Sequence, residues 1–238
     1  MLRSECQGLR LTFHLAGINN QNFLMRDEET GTYWQQISGL AVSGPLAGQR
    51  LEIISADELT FKLWRTEQPQ GSVLNDDEKF VRQYAKKDWD VEMKKMPTVL
   101  SYAGNGREAR DLMLGIAAFG ASRAFPYDVV LKEKLIQDHV GTEPVLLVVG
   151  PDGQSVRAFR RRLAGATEAP EFYLLTDTGA GLFMDSIGGA KWNFQGCTES
   201  GECLERVDVI KDYWFDWRHY HPDTTVFSAP KPSGPGRR

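Results

Sequence analysis

The 238-residue chain has three cysteines, four histidines and no apolar run near the ~20 residues that a membrane-spanning helix needs. Three cysteines are too few for a disulfide framework. No Gly-x-Ser-x-Gly elbow is present, so the hydrolase nucleophile that sits on such a turn has no counterpart here. The glycine clusters at 104–106 and 179–181 lack the strand, helix and lysine of a phosphate-cradling loop, and read as turns. Neither charge sign dominates. The 28 basic and 32 acidic residues sum to a formal charge of −4, which offers no electrostatic footprint for nucleic acid. Met1 to Leu15 is mixed polar and does not have the composition of a signal peptide.

What the chain does have is material for a core. Hydrophobic residues make up 41% and charged residues 25%, ordinary values for a globular protein, and six Trp with twelve Phe add large apolar surfaces. Leu9, Leu11, Phe13 and Leu15 alternate with polar residues, predicting one half-buried strand. Further strands are expected at Phe23 to Arg26, Tyr33 to Ile37, Leu40 to Val42 and Leu51 to Ile54, with a charged turn at 27–31. Ser55 with Glu58 three residues later reads as a capping box opening a helix from Ala56 to Glu67, which Pro69 ends. Asn75 to Met96, rich in Asp, Glu and Lys, reads as a solvated, partly helical connector. Beyond it, strands are expected at Leu112 to Ala118, Pro144 to Val149, Ser155 to Leu163 and Phe172 to Leu175, and a helix from Tyr127 to His139. Val145 to Val149 is continuously apolar, as expected of a strand buried on both faces. The Pro- and Gly-rich end of the chain reads as disordered.

Two stretches repeat in order and spacing. Trp64-Arg65, Pro69 and Val73 recur as Trp217-Arg218, Pro222 and Val226 at identical intervals. Upstream, Trp34 and Gly39 are echoed by Trp192 and Gly196, and Leu24-Met25 by Phe183-Met184. The ordered series predicts a tandem duplication, with the four tryptophans as equivalent core anchors. The expected organisation is a first copy over 8–75 lacking its opening part, a connector over 76–98, a second copy over 99–228 and a disordered tail over 229–238.

Thr30 to Gln36, the string Ser43 to Leu51 (SGPLAGQRL), Arg123 to Pro126, Tyr213 to Phe215 and His221 to Thr224 resemble the bacterial family called domain of unknown function 3179. The resemblance covers most of residues 8–228. It implies a Cys-Pro-x-Cys type motif after an apolar strand, where two thiolates could converge on a redox or soft-metal centre. This chain has Gly150-Pro151-Asp152-Gly153 there, with glycine at both cysteine positions. Members of the family are often exported, so the resemblance also raises the alternative of a truncated product of an exported relative.

Cys197 and Cys203 flank a five-residue loop. A disulfide there, contributing roughly 2 kcal/mol by loop entropy, and two free thiols are both open. Together with His219 and His221 they form the candidate ligand set for a metal- or redox-dependent alternative. The spacing fits no standard zinc finger, and Thr66 and Gln68 occupy the matching positions of the first copy. Arg160 to Arg162 is a basic run at a strand end, with an anion-binding patch as its alternative. The expectation is an α+β, strand-dominated fold of two related subdomains. It is expected to bind or scaffold an unknown ligand without catalysis, with no cofactor, no nucleic-acid partner and no membrane span.

Overall fold

A computed structural model describes residues 2–19, 22–54, 56–84, 86–97, 107–175 and 182–229. The expectations for Ser55, the two glycine clusters and the tail beyond 229 fall outside these residues. The fold is α+β and strand-dominated. Among the described residues no helix is long and apolar enough to cross a membrane.

The N-terminal part contains β1 (Glu5–Cys6), β2 (Leu9–Arg10), β3 (Phe13–Asn19), β4 (Asn22–Asp27), β5 (Tyr33–Gln35), β6 (Ala41–Ser43) and α1 (Phe61–Glu67). β3 to β6 form one antiparallel sheet in chain order. The single strand expected over Leu9 to Leu15 is broken. Leu11 leaves the β1–β2 hairpin to bond Ser4, is buried at 3% exposure, and Leu15 beyond it is 63% exposed. Beyond residue 15, a bulge between Leu15 and Gly17 shifts the β3–β4 register. Leu51 to Ile54 is likewise no strand, only an isolated bridge from Ile53 to Leu2.

The helix expected from Ala56 begins five residues later. Thr60 is its N-cap, accepting from the Leu63 N–H, so the cap is a threonine further along the chain. The connector holds a 3₁₀ turn (Glu78–Gln83) and α2 (Trp89–Lys95), and is largely exposed, as its composition predicts.

The C-terminal part contains β7 (Leu112–Ala118), β8 (Ala121–Pro126), α3 (Tyr127–Glu133), β9 (Leu135–Val140), β10 (Glu143–Val149), β11 (Val156–Arg160), β12 (Phe172–Leu174), β13 (Phe183–Asp185), β14 (Lys191–Trp192), β15 (Arg206–Val207), β16 (Ile210–Tyr213), α4 (Trp214–Tyr220) and β17 (Thr225–Val226). They make three sheets, ordered β15-β11-β10-β9, β12-β13-β14 and β16-β7-β8-β17. The helix expected over Tyr127 to His139 is cut in half. Lys134 adopts a left-handed conformation (φ 62°) and caps α3, after which Leu135 to Val140 pair with β10. Leu131 and Leu135 share a helical spacing, but Ile136 pairs with Leu147 in the sheet.

β10 is buried on both faces. Val145, Leu147 and Val149 pack with β7, β8 and α3, while Leu146 and Val148 pack with Phe159, Phe172, Phe183 and Trp192. Leu63 of α1 enters this second cluster, so the N-terminal part completes the core of the C-terminal part. An ion cluster pins the same helix. The Arg157 guanidinium, 3% exposed, bonds Asp57 and Glu67, and Arg206 also bonds Asp57. A buried guanidinium needs such partners because desolvating a charge is costly unless it is paired.

Two hairpins share one local design. In the first, the buried Asp27 carboxylate accepts from the Thr30 and Gly31 N–H groups and from the Trp34 indole at 2.8 Å. In the second, Asp185 accepts from the N–H groups of residues 187 to 190 and from the Trp192 indole at 2.9 Å. Phe13 meets Trp34 edge-on at 6.0 Å, and Phe172 meets Trp192 edge-on at 6.2 Å. Gly39 and Gly196 both turn with positive φ. The register aligns Met25 with Phe183, because each pairs with its tryptophan, which moves the alignment expected from Leu24-Met25 by one residue. α1 and α4 end alike, at φ/ψ of −125°/67° and −129°/69°. Three of the four tryptophans are buried anchors. Trp64 is not: it is half-buried and stacks on exposed Phe61.

Candidate functional site

The four residues of the metal- or redox-dependent alternative do not form one centre. Cys197 and Cys203 are joined by a disulfide, which leaves neither sulfur as a thiolate ligand. They face each other in an isolated antiparallel bridge, as Leu40 and Arg50 do in the first hairpin unit. His219 lies in the last turn of α4 and packs edge-on against Tyr220. His221 caps that helix, its ring tilted against Trp217 with centroids 4.0 Å apart, and burial holds its pKa below the ordinary value. Among the described residues no group of three or more His, Cys, Asp or Glu could hold a metal ion.

The turn at Gly150 to Gly153 is built as a structural joint. Asp152 accepts from the Gln154 and Ser155 N–H groups, from the Ser155 hydroxyl at 2.5 Å and from the Thr60 hydroxyl at 2.6 Å. Burial would raise its pKa, but these bonds outweigh it and hold the carboxyl at about 2. The N-cap of α1 is thereby tied to the end of β10. A Cβ at Gly150 would lie 3.0 Å from the Phe194 ring, so the aromatic ring fills the space a larger residue would need.

The basic run forms no open anion-binding patch. Arg160 and Arg162 both bond Glu143, Arg160 also bonds Glu205, and Arg161 is buried against the Pro170 carbonyl and Glu171. Burial lifts the Glu143 pKa less than the two guanidinium bonds depress it, and it sits at about 2.

The arrangement best suited to a ligand lies elsewhere, between the β3–β6 sheet and β16. A cleft of about 550 Å³ opens there. That volume is within the usual range for a small-molecule site. Phe13, Met25, Leu51, Ile53 and Ile210 form apolar walls, and Asn22, Gln36 and Asp212 supply polar groups. Alternation along β16 places Ile210 and Asp212 on one face and Lys211 on the other. The Lys211 ammonium accordingly pairs with Glu58 and lies over the Tyr127 ring.

Asp212 bonds the Tyr213 N–H through Oδ1, and its buried Oδ2 has no donor. Burial, reinforced by the neighbouring charge of Asp216, pushes its pKa up to about 7. Asp216, 7% exposed, accepts the Asn22 side-chain amide through Oδ2, while its buried Oδ1 has no donor. Burial raises the Asp216 pKa, opposed by the Asn22 bond and by His219. Sequence reasoning missed both carboxylates. The signal it could have used is Asp212 and Asp216 set four residues apart in an aromatic-rich segment, where acidic residues are costly to bury.

A second, wider cleft of about 840 Å³ is lined by Ser122, Arg123, Asp138, His139, His221 and Asp223. Its central charges neutralise each other, since Arg123 bonds Asp138 and the Thr225 hydroxyl. No curated protein and no solved structure matches the chain. The family described as protein of unknown function (DUF3179) matches residues 3–224 in a single span, and the chain belongs to that family.

Proposed function

We propose that this protein is a non-catalytic binding protein whose ligand enters the cleft between the β3–β6 sheet and β16. The observation that carries it is the wall composition: apolar side chains on most of the surface, with Asn22, Gln36 and Asp212 gathered on the rest. Sites with few polar groups on an apolar lining are suited to hold and orient a small molecule. Partly exposed Ile53 and Ile210 at 47% and 36% belong to the same wall, so the apolar surface is reachable from solvent.

The test is ligand-dependent stabilisation of the whole chain across a small-molecule library, repeated with Ile210→Trp to fill the cleft. Stabilisation that the substitution abolishes is expected. Hits that survive it would remove the cleft from the proposal. Turnover in hydrolase or oxidoreductase assays, abolished by a single point mutation, would remove the non-catalytic part.

We also infer that the two hairpin units and their following helices descend from a tandem duplication. Supporting this are the matched aspartate–tryptophan bonds, the edge-on phenylalanines, and the equivalent bridges at Leu40–Arg50 and Cys197–Cys203. The disulfide supports maturation in an oxidising compartment, since such bonds are rare where thiols are kept reduced.

A further inference from the structure

The walls of the cleft differ in kind, and the difference specifies a ligand. Its apolar surface is made by Phe13, Met25, Leu51 and Ile53. Its polar region holds Asn22, Gln36, Lys211 and Asp212, and the Lys211 ammonium pairs with Glu58 over the Tyr127 ring, which leaves the Asp212 carboxyl to set the charge there. Asn22 from β4 and Gln36 from the loop after β5 line the cleft with Asp212, Met113 of β7 is its strand partner, and the Asp216 carboxylate of α4, itself facing the charge of His219, acts on it. Asp216 adds a second carboxylate behind Asn22, and each of the two acids keeps one buried oxygen with no donor.

A buried acceptor oxygen without a donor is unfavourable, and a buried carboxylate without an opposite charge more so. A ligand that brings a cation bearing N–H donors removes both deficits at Asp212. An anionic head would add a third negative charge, and a neutral hydroxyl would meet only the hydrogen-bonding need. We propose that the cleft takes an amphipathic cation, a primary ammonium on a small apolar body, with the head paired to Asp212 and the body against Phe13, Met25, Leu51 and Ile53. This rests on the binding reading above and assigns the chemistry of its ligand.

Asp212 takes up a proton at about pH 7, so the ionised, binding-competent form grows from about one part in eleven at pH 6 to ten in eleven at pH 8. Apparent affinity for an ammonium that stays charged throughout should rise about tenfold over that interval.

The experiment titrates the full chain with hexylammonium, hexanol and hexanoate by calorimetry at pH 6 and pH 8. Hexylammonium is expected to bind most tightly, with the tenfold gain towards pH 8. Asp212→Asn, checked for an intact fold by circular dichroism, should lose that gain and about tenfold in affinity at pH 8. Ile210→Trp should weaken all three probes. Equal binding of the three, unchanged in Asp212→Asn but lost in Ile210→Trp, overturns the cationic ligand and leaves the cleft standing. Tighter binding of hexanoate or hexanol overturns it likewise, pointing to a protonated Asp212 as donor. Binding insensitive to Ile210→Trp, or no binding of any probe to the folded chain, overturns the cleft itself.

Discussion

Asn22, the first residue of β4, donates its side-chain amide to the Asp216 carboxylate of α4, 194 positions further along the chain. The bond joins the N-terminal sheet to the C-terminal part beside the proposed cleft. Among the described residues it supplies the one side-chain hydrogen bond to Asp216, whose other oxygen is buried without a donor there. Asn22→Ala should therefore cost about 1–3 kcal/mol in urea unfolding at pH 8. Burial raises the Asp216 pKa, so its charge is lost earlier on acidification than that of an ordinary aspartate, and the cost should be smaller at pH 4. An equal loss at both pH values would mean that the amide stabilises something other than the charge.

Asp212 makes a prediction of opposite sign. Its folded pKa, about 7, lies above the ~3.9 of an unfolded aspartate. The folded state thus holds the proton between about pH 4 and pH 7 while the unfolded state has released it. Stability must fall as pH rises through that window and level off above it. Asp212→Asn removes the ionisation and keeps an acceptor for the Tyr213 N–H. It should raise the unfolding free energy by about 1–3 kcal/mol at pH 8 and change little at pH 4. Unfolding curves at the two pH values decide it.

The architecture was legible where the physics is local, and the site was not. The apolar run of β10 announced burial on both faces because every residue from Val145 to Val149 is hydrophobic, and a central strand needs nothing more. The tryptophan spacing pointed to the paired hairpins through Trp34 before Gly39 and Trp192 before Gly196, while the aspartate seven residues before each tryptophan went unread. Lys134 was invisible as a helix stop, since a left-handed lysine is set by the strand pairing that follows it. The cleft was hidden for a similar reason. Asn22 and Asp212 are 190 positions apart, and only the docking of the β3–β6 sheet onto the C-terminal part places them on one wall.

The two hairpins should respond alike to loss of their central carboxylate. Burial alone would raise the Asp27 and Asp185 pKa values, but the indole and backbone N–H bonds prevail and lower both. The resulting stabilisation is complete above the unfolded pKa of ~3.9 and is lost as pH falls through the folded values. Asp27→Asn and Asp185→Asn should each cost about 1–3 kcal/mol at pH 7 and less near pH 3. Thermal unfolding of the two variants checks both points. A large cost at one site and none at the other would break the equivalence.

Arg157 is the anchor most exposed to mutation in the energetic sense. Its guanidinium is 3% exposed and bonds Asp57 and both Glu67 oxygens, which holds α1 to β11. Arg157→Ala leaves Glu67 without this partner and Asp57 with Arg206, and should cost about 3–5 kcal/mol. Arg157→Met fills the space but still strands Glu67. Combining it with Glu67→Gln should recover part of the loss, because Asp57 keeps Arg206 and the other stranded acid is then neutral. Hydrogen exchange should localise the weakening to α1, and uniform protection across that helix would contradict the anchoring role.

The disulfide is checked by counting thiols. Of three cysteines, Cys6 is the free one and is buried, while Cys197 and Cys203 are paired. In denaturant a thiol reagent should find one group per chain before reduction and three after it. Under native conditions Cys6 should react slowly, since reagent must reach a side chain 7% exposed. The bridge closes a short loop, so reduction should cost about 2 kcal/mol, a modest share of typical domain stability. The equivalent bridge at Leu40 and Arg50 holds without any sulfur, which argues that backbone pairing sets the loop and the disulfide reinforces it. The reduced protein should then keep its fold and its cleft. Loss of cooperative unfolding on reduction would assign the bond a larger role than the geometry gives it.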